Sequence, residues 1–296
     1  SNIDVLLVTS NVEVLDCDVA LGVIEKYCKK GIEIWLMGVQ VTFRKRVKEI
    51  CSLNNVRCKM QDDIQFENGM IDYRNLKYSL VQQIIETPIV SVAGVVPVAQ
   101  KYQIQLNLLN NFKKDGYKVV LIGTGELNEL MGAYSLGDVL FCRDLHRIHY
   151  FNNFLKEIEK RDKPDVIIIG IDDPLLSLSS RHPFNYGIYA TELYSAFSPD
   201  ISIIALMNGN YNDDFYDEFG KLCRFKYNID ASAYFVSRYV SLSASMYREK
   251  LSYAYSSEIQ NLSEKYTVFS NSDIEQRNIY DFVLSRLQQY GRCEQF

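Results

Sequence analysis

Apolar and polar positions alternate along the chain with two periods that predict a series of strands and helices. Residues 3–9, IDVLLVT, form an apolar run typical of a strand, and DVALGVIEKYCKKG after them has the spacing of a helix that ends at Gly31. IEIWLMG, VTFRKRVKEICSLNN and VRCKM then repeat the order as strand, helix and short strand. Strands that alternate with helices at this pitch predict a small parallel sheet.

The longest pattern of this kind covers residues 88–126. PIVSVAG is a β-branched apolar run that ends at Gly94, which predicts a buried strand. YQIQLNLLNNFKKDG follows Lys101 with helical spacing and ends at Gly116, where a C-cap is expected. YKVVLIG is a second strand and leads into GTGE, from Gly123 to Glu126. Strand, loop with Gly and Lys, helix and strand is the order of a phosphate-binding βαβ unit.

The loop of this unit departs from the P-loop motif G-x-x-x-x-G-K-[ST] at two positions. Lys101 stands where the motif has its lysine, but Gln100 occupies the second glycine position and Tyr102 the Ser/Thr position that holds magnesium. The spacing from Gly94 to Lys101 is also longer than in the motif. Two interpretations remain open: a phosphate contact at a helix N-terminus, or a plain strand-to-helix connection that contains a lysine.

Three blocks of the sequence carry a resemblance to a known family: PIVSVAG with QKYQIQLNLLNNFKKDGYKVVLIGTGELNELMGAYSLGD, FNNFLKEIEKRDKPDVIIIGIDDP, and FNYGIYATELYSAFSPDISIIALM. They resemble the clostridial peptide maturation system proteins, which are encoded beside ribosomally made, Cys-rich precursor peptides and a radical SAM maturase. They are similar, more distantly, to a P-loop family allied to dethiobiotin synthetase. In that wider family the loop reads approximately G-T-S-S-x-x-G-K-[FY], so the aromatic residue and the longer spacing are family traits, whereas Gln100 remains a departure.

The resemblance covers roughly residues 85 to 240 and implies a pathway more firmly than a reaction. It implies an accessory role in the maturation of a peptide natural product, with the precursor peptide or the radical SAM maturase as the partner. An active ATP-dependent, carboxylate-activating ligase and a scaffold that binds no nucleotide are the alternatives, so whether the chain is an enzyme stays open.

A second apolar run, DVIIIGIDDP, ends in two carboxylates, Asp172 and Asp173. In nucleotide enzymes a carboxylate at the end of such a strand holds magnesium or its water shell, whereas the alternative here is a turn or a helix cap. Ligands in open α/β sheets gather outside the carboxyl ends of the strands. The candidate phosphate or nucleotide site, with ATP or GTP and magnesium as its cofactors, therefore comprises Gly94, Gln100, Lys101, Tyr102, Gly123, Thr124, Glu126, Asp172 and Asp173.

The remaining pattern sets the expected fold class, which is α/β. YRNLKYSLVQQIIE predicts a helix that Thr87-Pro88 ends, and a domain boundary is placed there. PDISIIALM predicts another buried strand, residues 218–239 one more strand and a helix, and the rest of the chain mostly helix. We expect two Rossmann-like or P-loop-like parallel-sheet domains, residues 1–86 and 87–228, and a helical C-terminal extension, residues 229–296.

Composition narrows the functional classes. The formal net charge of −5 over 296 residues argues against a general nucleic-acid binder. No apolar run approaches the length that spans a membrane, so no membrane association is expected. Seven Cys without a C-x-x-C pair suit a reducing compartment, and we expect a cytoplasmic protein.

Two further groups of residues, a Cys/His cluster and the C-terminal tyrosines, have a structural interpretation as well as a functional one. Cys142, His146 and His149 would share one helix face, but a fourth ligand is not evident and no metal site is predicted. The chain has 21 Tyr and one Trp, and nine Tyr lie at or after Tyr227. Tyr is enriched at interfaces, so the C-terminal part could dock a peptide or a maturase, or these Tyr could be ordinary core and surface residues. Homo-oligomer formation is left open.

Overall fold

The computed structural model describes residues 3–9, 17–37, 39, 41–60, 79, 81–96, 100–123, 128, 132–136, 146–241, 253–259, 262–275 and 277–293. The chain divides into two compact units. Unit 1 comprises Ser1–Gly69 and Glu129–Gly132, and unit 2 comprises Met70–Asn128 and Ala133–Phe296.

Unit 1 contains a three-stranded parallel sheet in the order β1-β2-β3. Its elements are β1 (Val5–Val8), α1 (Cys17–Cys28), β2 (Glu33–Leu36), α2 (Val41–Leu53) and β3 (Cys58–Met60). Apolar residues of both helices, such as Ile24 and Val47, pack with Ile34 and Leu36 in one core. The alternation of strand and helix therefore formed the small parallel sheet that the sequence predicts.

Unit 2 contains, within the described residues, a seven-stranded parallel sheet in the order β12-β9-β8-β4-β7-β5-β6. Its strands are β4 (Ile89–Gly94), β5 (Val119–Gly123), β6 (Tyr134–Ser135), β7 (Val166–Pro174), β8 (Ile201–Leu206), β9 (Ala233–Val236) and β12 (Val268–Phe269). A separate antiparallel ribbon joins β10 (Tyr239–Ser241) to β11 (Tyr253–Tyr255).

Helices cover both faces of this sheet. They are α3 (Lys101–Lys114), α4 (Arg147–Asp162), α5 (Ile188–Ala196), α6 (Asp213–Leu222), α7 (Asn271–Glu275) and α8 (Asn278–Cys293), and a π-helix (Cys223–Tyr227) follows α6. Helices α3 and α8 pack on one face, and α4, α5 and α6 on the other. Strands buried on both faces read as continuous apolar runs, which is why β4, β7 and β8 were recognisable in the sequence. The chain is α/β, as predicted.

Helix α3 packs on the sheet with its apolar face and ends shortly before a glycine. Apolar residues at Ile104, Leu108 and Phe112 are buried against the sheet. The helix ends at Lys114, and Gly116 follows with φ +88, the left-handed conformation that glycine adopts without strain. The C-terminal signal of this helix is therefore confirmed.

Two expectations differ from the structure. Residues 81–86 are not helical, because side chains of α4 bond to their backbone: Asn152 Oδ1 accepts from Gln83 N and Glu159 Oε1 from Glu86 N, each at 2.7 Å.

The C-terminal part carries helices α7 and α8, but it also adds strands to the large sheet. Strand β9 was expected, whereas β12 is too short to show a period.

Candidate functional site

Three glycines form a row across the neighbouring strands β4, β7 and β5: Gly94 and Gly123 are the last residues of their strands, and Gly170 lies in the middle of β7. Gly123 lies opposite Gly170, and Gly170 lies opposite Val92, two residues before Gly94. Because successive residues of a strand face opposite ways, all three glycines face the α3 side of the sheet with Val90, Ile168 and Leu121. The missing side chains leave room on that side for groups from other elements.

Polar side chains fill that room. A methyl group at Gly94 would lie 2.8 Å from Lys101 Cδ, at Gly170 2.3 Å from Gln105 Nε2, and at Gly123 2.0 Å from Asn128 Nδ2. Lys101 is 3% exposed, Gln105 1% and Asn128 2%. Gln105 Nε2 has no hydrogen-bond partner among the described residues. A buried amide donor without a partner is costly, so this edge is polar and incompletely satisfied.

Lys101 is the charged centre of the edge. Its Nζ donates to the backbone carbonyl of Asp172 at 2.5 Å, which is its only hydrogen bond within the described chain. Burial lowers the pKa of the Lys101 ammonium, and the carboxylates of Asp172 and Asp173 act in the opposite direction. An ammonium carries three donors, so two remain for a ligand.

A break in the β4–β7 pairing brings the Asp172 carbonyl to Lys101. Val92 pairs with Gly170, but Gly94 pairs with Pro174, so residues 171–173 contain two more positions than the partner strand. The ladder resumes where Leu175 N donates to Gly94 O at 2.9 Å. A bulge of this kind re-aims backbone and side chains at the end of a strand.

The two carboxylates have different surroundings. Asp173 accepts from the Asn185 side chain and from the backbone N–H groups of Tyr189 and Ala190, at the N-terminus of α5. Burial raises the pKa of Asp173 despite those bonds, and its Oδ2 has no partner among the described residues. Asp173 therefore stabilises a helix end, and Asp172 is the better candidate for a cation.

Gln100 has a backbone conformation that glycine adopts at less cost than other residues. Its φ of 58° and ψ of 23° are left-handed, and it is the N-cap of α3. Its side chain makes two bonds, from Nε2 to Gln103 Oε1 at 2.7 Å and from Arg238 N to Oε1 at 2.9 Å. A non-glycine residue in this conformation costs about 1–2 kcal/mol, which these bonds offset.

Tyr102 occupies the position of the motif's Ser/Thr. Its hydroxyl is buried and has no hydrogen-bond partner among the described residues. Burial raises the pKa of this hydroxyl, and the negative charge of Asp172 raises it further. The Tyr102 hydroxyl and the Asp172 carboxylate are therefore near each other and Lys101.

The structure brings six of the nine predicted residues to one place: Gly94, Gln100, Lys101, Tyr102, Asp172 and Asp173. Gly123 lies on the same edge beneath Asn128, and Thr124 and Glu126 lie outside the described residues. Gln105, Asn128 and Arg238 also lie at this edge and were not predicted from the sequence. Gln105 could have been predicted, because it lies one helical turn after Lys101 and therefore on the same face of α3. Asn128 follows β5 by only five residues, but nothing in its neighbourhood marks it as a site residue. Arg238 is placed here by the pairing of β9 with β8 and of β8 with β4, which leaves no local signal.

The donor set suits magnesium in one respect. Mg²⁺ typically binds through one or two carboxylates, substrate phosphates and several waters, and the Asp172 carboxylate fits that pattern. Among the residues that the structure describes, no group of three or more His, Cys, Asp or Glu is arranged to hold a metal ion. Cys142 lies outside those residues, and His146 is the N-cap of α4.

Within the described part of the chain, no helix combines the length and apolar character needed to cross a bilayer.

No protein-family model matches the sequence, and no curated protein matches it. Among solved structures, a DUF1611 family protein from Anabaena variabilis ATCC 29413 matches with 9% identity over 79% of this chain and 68% of that chain, with a TM-score of 0.45. A putative plasmid partition protein (BB_S35) from Borrelia burgdorferi B31, bound to AMPPNP, matches with 14% identity over 68% of this chain and 100% of that chain, with a TM-score of 0.41.

A nucleotide-binding protein from Archaeoglobus fulgidus, in complex with ADP, matches with 13% identity over 68% of this chain and 88% of that chain, with a TM-score of 0.37. All three TM-scores are below 0.5, so these likenesses assign neither a family nor a ligand to this chain.

Proposed function

We propose that this chain binds a nucleoside triphosphate, ATP or GTP, with its phosphates at Lys101 and a magnesium ion at Asp172. The observation that carries the proposal is the burial of Lys101 over Gly94 with a single backbone carbonyl as its acceptor. Burying an ammonium is expensive unless its donors are satisfied, and a phosphate oxygen would satisfy the remaining two.

The position of Lys101 in the fold supports an anionic ligand. Lys101 is the first residue of α3, and a helix N-terminus favours negative charge. Helix α3 follows β4 and helix α5 follows β7, and the two helices pack on opposite faces of the sheet. The crevice outside two such strands is where ligands bind in open α/β sheets.

Each polar group at the edge has a role in this proposal. Lys101 holds phosphate oxygens, and Gly94 admits its side chain. Asp172 and the Tyr102 hydroxyl face the position of the cation. When bound, magnesium neutralises phosphate charge and fixes the orientation of the phosphate oxygens. Asp173 keeps α5 in place.

Binding without turnover is the form of this function that we favour. Gln100 and Tyr102 replace the glycine and the Ser/Thr with which a P-loop holds phosphate and magnesium, so the groups that position both for hydrolysis are changed at these two positions. The finer proposal is that the bound nucleotide serves peptide maturation, with a precursor peptide or a radical SAM maturase as the partner. Its support is the sequence resemblance alone.

Calorimetric titration of ATP and GTP with magnesium tests the proposal. We expect micromolar binding to the unaltered protein and a loss of at least about 30-fold in Lys101→Met, because a buried charged contact is removed. Lys113→Met is the matched control, since Lys113 is exposed at the other end of α3, and it should bind like the unaltered protein. Phosphate release measured in parallel separates binding from hydrolysis.

No heat from the unaltered, folded protein would contradict the proposal, and so would equal affinity in Lys101→Met. Circular dichroism of each variant checks that it is folded.

A further inference from the structure

We propose that Arg238 is a second cationic contact for the phosphate chain, and that Gln100 holds it at the site. This inference rests on the proposed function, because it names a further residue of the same site. It gives a physical reason for glutamine at a position where a phosphate-binding loop has glycine.

Arg238 lies at the same sheet edge as Lys101. It comes two residues after β9, which pairs with β8, and β8 pairs with β4. All these pairs are parallel, so the segments after the three strands emerge on one side. Gln100 Oε1 then accepts from Arg238 N at 2.9 Å, which ties Arg238 to the residue directly before Lys101.

The guanidinium of Arg238 is only partly used. Its Nη1 donates to the hydroxyl of Tyr255 at 3.0 Å, and its Cζ lies 5.8 Å from the centre of that ring. Its Nε is buried and has no hydrogen-bond partner among the described residues. Guanidinium has five donors, so several remain for an acceptor.

Arg238 also has no carboxylate partner in the described part of the chain. Other arginines there do: Arg224 pairs with Asp230 at 2.6 Å and Arg277 with Asp115 at 2.7 Å. An arginine without a counterion beside an anion site is an available charge, and its planar fork matches phosphate oxygens.

The balance of charge at this edge favours a second cation such as the Arg238 guanidinium. Lys101 interacts with both Asp172 and Asp173, so one ammonium faces two carboxylates. A triphosphate brings several further negative charges, and magnesium neutralises only part of them. A second cation at the phosphate chain makes binding favourable where Lys101 alone is outnumbered.

Gln100 is the residue that makes this arrangement possible. A glycine at this position would adopt the left-handed conformation at less cost, but it has no side chain to accept from Arg238 N. Gln100 carries a small backbone strain that glycine would not have, but its carboxamide oxygen fixes the position of Arg238. The substitution that weakens the motif therefore recruits a charge to the same site.

Titration of AMP, ADP and ATP with magnesium into four variants of the full chain tests the inference. The variants are Arg238→Ala, Arg238→Lys, Gln100→Gly and Gln100→Gly with Arg238→Ala. The control is Arg224→Ala, at an exposed position of the π-helix. We expect Arg238→Ala to weaken ATP binding by about tenfold to a hundredfold, as for a charged hydrogen bond, and AMP binding much less.

Arg238→Lys should recover part of the ATP affinity, because the charge is kept. Gln100→Gly should weaken ATP binding as well, and the double variant should be no weaker than Arg238→Ala, because the two residues act as one unit. Arg224→Ala should bind like the unaltered protein.

Unchanged ATP affinity in Arg238→Ala, with affinity still lost in Lys101→Met, would overturn this inference and leave the proposed function standing. Equal loss of AMP and ATP binding, or additive losses in the double variant, would overturn it too. If the unaltered protein binds none of the three nucleotides, the proposed function fails and the inference with it. Should Arg238→Ala not fold, Arg238→Lys and Gln100→Gly decide, because full ATP affinity in both would refute the inference.

Discussion

The glycines of the row serve by the space they leave rather than by backbone freedom. Gly94, Gly123 and Gly170 show no left-handed φ, unlike Gly116 and Gly187. Each instead lies under a side chain that enters from another element. The sequence predicted Gly94 and Gly123 as strand ends, which is what their positions after apolar runs indicate. It could not show which side chains lie above them, because that depends on how strands pair and which helix packs on them.

Gly94→Ala tests the role of this space at one residue. The added methyl would lie 2.8 Å from Lys101 Cδ and 3.2 Å from the backbone oxygen of Ala205, so Lys101 has to move and the strand pair has to adjust. We expect a loss of about 1–3 kcal/mol in the free energy of unfolding, measured by urea denaturation, and weaker nucleotide binding.

Gly22→Ala in α1 is the matched control. A methyl there meets nothing within 4 Å, and alanine is preferred in helices, so stability should rise by about 0.5–1 kcal/mol. Unchanged stability and binding in Gly94→Ala would show that Lys101 does not need this space.

Among the elements, the segment of residues 81–87 has apolar residues at helical spacing, but it is not a helix in the structure. Gln83 exchanges bonds with Asn152, whose Oδ1 accepts from Gln83 N and whose Nδ2 donates to Gln83 O. Glu159 Oε1 accepts from Glu86 N and Thr87 N, both at 2.7 Å. These partners lie about 70 residues away in sequence, so they leave no local signal; they hold the chain extended as it enters β4.

Glu159→Gln tests this anchoring. Burial raises the pKa of Glu159, but hydrogen bonds from Lys156, Thr87 and Glu86 together have the larger effect. The pKa therefore lies below the ordinary value of 4.5. Its contribution to stability is therefore present above pH 4.5 and is lost as the pH falls through the lowered pKa. We expect the variant to lose about 1–3 kcal/mol at neutral pH in urea unfolding, with a smaller difference in acid.

Glu157→Gln, at an exposed position of the same helix, should change stability little at either pH. A loss in Glu159→Gln that stays constant through the acid range would mean that the charge of Glu159 is not what stabilises the segment.

For the whole molecule, local patterns predicted the elements better than their arrangement. The α/β class and strands β4, β5, β7 and β8 follow from apolar runs and end signals that lie within each segment. The order β12-β9-β8-β4-β7-β5-β6 comes from pairings between distant segments, and β12 has only two residues. The candidate site follows the same rule: Lys101 and Asp172 were predicted from the sequence, whereas Arg238 comes to the site only through the pairing of β9 with β8 and of β8 with β4.

The predicted partners, the cytoplasmic location and any homo-oligomer stay predictions. Partner recognition depends on a second molecule, and the peptide or maturase that the resemblance implies would show itself in a complex rather than in one chain.

Thermal unfolding of the unaltered protein and Lys101→Met, over a series of triphosphate and magnesium concentrations, tests the central claim most directly. A buried charge kept for a ligand costs stability when the ligand is absent, so Lys101→Met should unfold at the same or a higher temperature without nucleotide. Nucleotide at a hundred times the Kd of the unaltered protein should stabilise that protein by about 2.7 kcal/mol, or about 4–6 °C in Tm. At the same concentration Lys101→Met, which binds at least about 30-fold more weakly, should gain at most about 0.9 kcal/mol. A lower Tm for Lys101→Met without nucleotide, or equal shifts in both proteins, would contradict the account.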